Sequence, residues 1–167
     1  MSMPDFALKS RIDALVYDSC HRLNVQDWSG FLELCDHDDF RYRIVNYSPE
    51  IQREQCWMDR DYGGLQSIFT LLPRHNSDHA VLTRHAVVQQ IRVEDGAGEA
   101  LVHSPFSLYS TAFDAMSSPL SSGQTQLFAV GRYEDRVRID EHGGLRLKER
   151  VVRLETRQIG IGSHVPF

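Results

Sequence analysis

Cys35-Asp36-His37 has the form of half an iron–sulfur site. Rieske clusters are held by a C-x-H followed by a C-x-x-H, because two thiolates hold one iron and two imidazoles the other. Cys56 lies downstream at a fitting distance, but the position three residues after it is Asp59, not His. Cys35 also falls on the apolar stripe of a helix, where it reads as a small core residue beside a solvated loop. His75 and His79 are four residues apart and are followed by His85, a spacing that on a helix would present a metal-binding face. Pro73, Asn76, Ser77 and Asp78 make that stretch a loop instead, and no H-E-x-x-H is present. No metal ligand set and no facial triad is therefore expected. Nucleophile and phosphate motifs are missing: there is no G-x-S-x-G and no glycine loop. Acid–base chemistry remains. His85 and His103 on strands, with Asp39, Tyr42 and Tyr109, could supply a His–carboxylate pair in a cavity. His85 shares parity with Val87, Ile91 and Val93, so it is expected to point inward. An inward His also serves as a hydrogen-bonded core residue, and both readings stand.

The elements that must position these residues follow from hydrophobic spacing. Leu8, Ile12, Leu15, Val16 and Leu23 predict a first helix capped by Asp5. Trp28, Phe31, Leu32 and Cys35 predict a short second helix capped by Asp27. Asp39 to Val45 alternates, with Phe40, Tyr42 and Ile44 on one face of a strand. Leu65, Ile68, Phe69 and Leu72 mark a third helix, weakened at its start by Gly63-Gly64 and ended by Pro73. One long strand is expected through Thr83, His85, Val87, Gln89, Ile91 and Val93. Further strands are expected at Ala100 to Ala112, Thr125 to Ile139 and Leu145 to Ile159. Turns separate them at Asp95-Gly96-Ala97-Gly98 and His142-Gly143-Gly144, with a loop at Ala115 to Gln124. The last strand changes phase between Leu147 and Val152, which predicts a bulge near Glu149 to Val151.

The 167 residues suit a single domain over 1–167 with a true core. A net charge of −5, without a run of Lys or Arg, argues against nucleic acid as a partner. No apolar run approaches the roughly 20 residues that span a bilayer. Met1 to Arg11 has no export-signal pattern, and the three cysteines (Cys20, Cys35, Cys56) cannot all pair within one chain. Free thiols and a cytoplasmic location are expected. Helices followed by long antiparallel strands indicate an α+β fold. A bent sheet wrapped around the N-terminal helices is the cone of the nuclear-transport-factor-like superfold. A stand-alone dehydratase, isomerase or hydrolase could use the cavity of such a cone, and a small-molecule-binding cone could dispense with chemistry.

Five segments, in order, resemble the small (beta) subunits of aromatic-ring-hydroxylating, Rieske non-heme iron dioxygenases. Arg22 to Leu34, with Asp27, Trp28 and Phe31, is similar to the family's helical opening. Asp39 and Tyr42 begin the first strand. Thr83-Arg84-His85 resembles an S-R-x-R-H stretch, Phe106-Ser107-Leu108-Tyr109-Ser110 an N-F-x-x-Y-R strand, and Phe128 to Asp135 an F-x-G-R-x-E-D strand. Ser110 stands where Arg is usual and Leu145 where Trp is usual. Tyr47 to Glu50 and Trp57 to Asp59 look closer to the methanesulfonate monooxygenase branch.

The resemblance implies a non-catalytic structural subunit with no cofactor of its own. A larger alpha subunit would carry the Rieske [2Fe-2S] cluster and the mononuclear Fe(II), and would hydroxylate an aromatic or other small organic substrate. Three alpha and three beta chains would form an alpha3beta3 hexamer, fed by a reductase, in some members through a ferredoxin. Self-association of this chain as a trimer is expected. Arg132, Glu134, Arg136 and Arg138, with Arg146, Lys148 and Arg150, would pair across the interface with Glu134, Asp135, Glu149 and Glu155. An interface could also bury Ile161, Val165 and Phe167 of the apolar tail; the alternative is that the tail packs on its own sheet.

Overall fold

The structure is a computed structural model that describes residues 3–75, 80–94, 96, 98–112, 122–158 and 166–167, the side chains of 74 and 75 excepted. Helix α1 (Phe6–Asn24) begins where the Asp5 carboxylate accepts from the Leu8 N–H at 2.7 Å. It buries Ile12, Leu15, Val16, Cys20 and Leu23 along one stripe. Helix α2 (Trp28–Glu33) is capped by Asp27, which accepts from the Gly30 N–H at 2.9 Å. Helix α3 (Tyr62–His75) has a cap that its Gly-Gly start conceals: Asp61 accepts from the Gly64 N–H at 2.8 Å. Pro73, expected to end this helix, lies inside its last turn and the helix runs on to His75. Proline fits helical φ and forfeits one bond, which is tolerable where the helix is about to stop. Trp28 stacks on Phe69 at 4.9 Å and Phe31 meets Phe69 edge to face at 6.0 Å, tying α2 to α3.

Seven strands form one curved mixed sheet: β1 (Arg41–Ser48), β2 (Arg53–Asp61), β3 (Val81–Ala86), β4 (Gln90–Glu94), β5 (Glu99–Thr111), β6 (Thr125–Ile139) and β7 (Leu145–Leu154). The order is β2-β1-β7-β6-β5-β3, with β4 also on β5. Every pairing is antiparallel except that of β1 with β7. With the helices against its inner face the sheet makes the expected α+β cone.

Two strand readings need correction. The single long strand through Thr83 and Val93 is two strands, β3 and β4, broken at residues 87–89. Opposite the break stands Pro105, which has no N–H to give the ladder. The break reverses parity: Leu82 and Arg84 are buried in β3, Ile91 in β4, and His85 and Val87 are exposed. The hairpin partner β2 went unread, because an edge strand exposed on both faces shows no alternation. Strand β7 does carry a bulge, just ahead of the expected site. Arg136 pairs with Glu149 and Val137 with Leu147, leaving Lys148 extra. Leu145 and Leu147 before it, and Arg150, Val152 and Leu154 after it, therefore all face inward and are buried.

The outer face carries Arg132, Glu134, Arg136 and Arg138, as read from the sequence, but Arg150 and Asp135 belong to the interior. The outer charges are matched within the chain. Glu134 receives Arg153 at 2.9 Å and Arg132 at 3.0 Å, Glu99 receives Arg136 at 2.8 Å and Lys148 at 2.7 Å, and Arg43 reaches Glu149 at 3.1 Å. Of the tail, Ile161 and Val165 lie outside the described residues. Phe167 is 4% exposed and packs on its own cone. Among the described residues no helix is long and apolar enough to cross a membrane.

Candidate functional site

The interior of the cone is where a fold of this shape would place chemistry. Strand β6 sends in Tyr133 and Asp135, and β7 sends in Arg150 once the Lys148 bulge has reset its phase. The Arg150 and Asp135 side chains are wholly buried. Nε and Nη2 of Arg150 donate to the two Asp135 oxygens at 2.8 and 2.7 Å, a parallel fork. The guanidinium carbon lies 4.4 Å from the Tyr133 ring centre and 5.9 Å from that of Phe31. Tyr133 in turn stacks on Phe106 at 4.4 Å. Burial would pull the Arg150 guanidinium down, but the charge and hydrogen bonds of Asp135 outweigh it and hold the group above its ordinary value. Burial pushes the phenols of Tyr42 and Tyr133 up, so both stay protonated. Among the described residues, the paired arginine and the protonated phenols leave the Arg150–Asp135 cluster no free proton acceptor suited to neutral pH.

The five acid–base candidates do not meet there. Tyr42 is fully buried, and its hydroxyl donates to the backbone oxygen of Phe167. His85, expected to point inward, is exposed on β3, where its ring meets Tyr109 edge to face at 5.6 Å. Its parity was reversed by the break opposite Pro105. His103 sits on the outer row of β5, across from Gln90 and Glu134, and Glu134 is already held by Arg132 and Arg153. Asp39 is exposed and paired with Arg138. An open groove of about 280 Å³ lies beside it, lined by Asp39, Arg41, Glu99, Arg136, Lys148 and Glu149. Three cations and three carboxylates face one another there, which leaves no net charge for a ligand.

The cysteine–histidine motif does not fit a cluster. Cys35 is buried, its Sγ donates to the Phe31 carbonyl at 3.4 Å, and burial pushes its thiol well above the ordinary range. His37 is exposed and bonded to Asp38 at 2.9 Å. Asp59, in the place a second histidine would need, is held by Arg41 at 2.8 and 2.6 Å. Cys56 is exposed, with Sγ on the Met58 carbonyl at 3.2 Å. These residues cannot hold a Rieske centre. Among the described residues no group of three metal-ligating side chains occurs. His79 and the side chain of His75 lie outside the described residues.

Sequence reasoning missed the buried pair, although a signal existed. Asp135 interrupts an apolar face between Tyr133 and Val137, and Arg150 precedes Val152 and Leu154 in phase.

No protein-family model matches the chain. It is 36% identical over 152 residues to the methanesulfonate monooxygenase hydroxylase subunit beta of Methylosulfonomonas methylovora, covering 91% of this chain and 83% of that protein. It is 33% identical over 157 residues to the 2-aminobenzenesulfonate 2,3-dioxygenase subunit beta of an Alcaligenes species, covering 93% and 97%. Its fold superposes with a TM-score of 0.77, at 20% identity and 95% coverage of both chains, on a Novosphingobium aromaticivorans chain assigned as the beta subunit of an aromatic-ring-hydroxylating dioxygenase. A cone whose interior is closed by an ion pair, and whose sequence aligns with those two subunits over more than nine-tenths of its length, belongs to the family of small (beta) subunits of ring-hydroxylating, Rieske-type oxygenases.

Proposed function

We propose that this chain is a single-domain, non-catalytic beta subunit that supports a metal-bearing alpha subunit in the cytoplasm. The observation that carries the reading is the filled interior: Arg150, Asp135, Tyr133 and Phe106 occupy the space where an acid–base pair would have to work. The alpha partner carries the Rieske [2Fe-2S] cluster and the mononuclear Fe(II), and the two chains assemble as an alpha3beta3 hexamer. Electrons reach the alpha subunit from a reductase, directly or through a ferredoxin. The two sequence relatives are named for a methanesulfonate and an aminobenzenesulfonate enzyme, and an organosulfonate is the substrate class we assign to the complex. The stand-alone dehydratase or isomerase reading needs a His beside a carboxylate in the cone, and His85 and His103 both face outward.

Co-expression with a candidate alpha chain from the same genome tests the proposal. Light scattering is expected to give equimolar chains at the mass of a hexamer, with all iron following the alpha chain. Sulfonate-dependent oxygen uptake is expected only from the assembled complex. A chain that stays monomeric beside its alpha partner, or that binds iron stoichiometrically alone, would overturn it.

A further inference from the structure

Tyr42 on β1 and Arg84 on β3, strands far apart in the sheet order, approach one point inside the cone. The Tyr42 hydroxyl donates to the backbone oxygen of Phe167, and Arg84 Nη2 reaches that of Pro166 at 3.5 Å. Arg84 is only 3% exposed. Asn24, at the end of α1, fixes it: the amide oxygen accepts from the Arg84 N–H at 2.8 Å and from Nη1 at 3.0 Å, and the amide nitrogen donates to the Arg84 carbonyl at 3.2 Å. Its Nε has no acceptor among the described residues. The ring of Phe167 meets Phe128 edge to face at 5.8 Å.

Asp135 is taken up by both prongs of Arg150, and among the described residues no side-chain carboxylate pairs with Arg84. A buried guanidinium is costly without an anion, and a carbonyl at 3.5 Å is a weak substitute. An aromatic wall, a phenolic donor and an under-compensated guanidinium together specify an aromatic ring with anionic oxygens attached. We propose that this seat is a binding site for small aromatic acids, carboxylates or sulfonates, which Pro166–Phe167 fills in cis. A tethered occupant acts at an effective concentration on the order of millimolar, so a free acid enters measurably only when the tether's ring is removed. The site is independent of the beta-subunit reading, which rests on co-assembly.

The test is calorimetric titration of benzoate and of benzenesulfonate into three proteins: the full chain, the chain ending at residue 165, and that shortened chain with Tyr42→Phe. The shortened chain is expected to bind at least one probe at least tenfold tighter than the full chain, and Tyr42→Phe to weaken that binding about tenfold, the worth of one hydrogen bond to a charged acceptor. Equal titrations of long and short chains, or binding indifferent to Tyr42→Phe, would overturn the proposal. If the shortened chain does not fold, full-length Phe167→Ala replaces it. Benzoate is then expected to raise the melting temperature of Phe167→Ala and leave that of the parent unchanged, and an equal effect on both sinks the site.

Discussion

Replacing Asp135 by Ala removes the carboxylate partner of a fully buried guanidinium. Arg150 has no route to water, and its Nη1 already lacks an acceptor among the described residues. The Tyr133 ring at 4.4 Å is the substitute that remains, worth about 2 kcal/mol when desolvated. Breaking a buried pair from one side typically costs about 3–5 kcal/mol. At about 2–4 °C per kcal/mol for a chain of this size, the melting temperature is expected to fall by roughly 6–20 °C. That is a large share of a total stability of about 5–15 kcal/mol. The informative comparison is the double change Asp135→Leu with Arg150→Met, which removes both charges at similar volume. Such replacements range from about neutral to a few kcal/mol stabilising, so the double variant is expected to be more stable than the single one. Urea unfolding followed by tryptophan fluorescence measures both, with Trp28 reporting through its stack on Phe69. If Asp135→Ala costs under about 1 kcal/mol, or if the double variant is as damaged as the single, the interior is not sealed and the argument for a filled cone fails.

Three further outcomes are expected. Gly131→Ala would place a Cβ 2.5 Å from the Arg153 carbonyl and 3.1 Å from Phe106, and its urea midpoint is expected to drop by the equivalent of about 1–3 kcal/mol. In the native chain a thiol reagent at pH 8 is expected to titrate Cys56 alone, because burial holds the Cys20 and Cys35 thiols up and out of reach; three equivalents should appear only after unfolding. Stability is expected to fall on acidification, as read by the melting temperature between pH 6 and pH 2. Arg157 holds Glu50 down at about 2. Glu99 and Glu134 are also held low, because hydrogen bonds from Lys148 and Arg136, and from Arg153 and Arg132, outweigh the desolvation that opposes them. Depressed carboxylates stabilise the fold fully above their unfolded range near 4.5, and that contribution is lost as pH drops toward their folded values.

The elements with one wet and one dry face could be read from the sequence: α1, β1, β5 and β6 lie close to where alternation or helical spacing put them. Reading failed where that contrast disappears. Strand β2 is exposed on both sides, and Pro105 acts on β3 and β4 from a strand that is not their sequence neighbour. The motif F-x-G-R-x-E-D illustrates the limit. Gly131 could be recognised as part of a pattern, but its reason is the Arg153 carbonyl, two strands' worth of sequence away. The same holds for the interior. Asp135 and Arg150 are each visible as charges in apolar phase, yet only the bulge at Lys148 makes them partners. The outer charges were legible as a row but not as pairs, since apart from Arg132 and Glu134 the partners sit on different strands.

The lone parallel pairing has a consequence for biosynthesis. Strand β1 must wait for β7, and the Arg43–Glu149 bond that accompanies their pairing spans 106 positions. On the ribosome the α1, α2 and β1–β2 segments emerge with their apolar sides uncovered, and no later segment can close β1 until nearly the whole chain has been made. Such late, non-local closure makes for slow folding and prolonged exposure of sticky surface. The nascent N-terminal third is thus the part of this subunit most in need of chaperone cover until the last strand has been made.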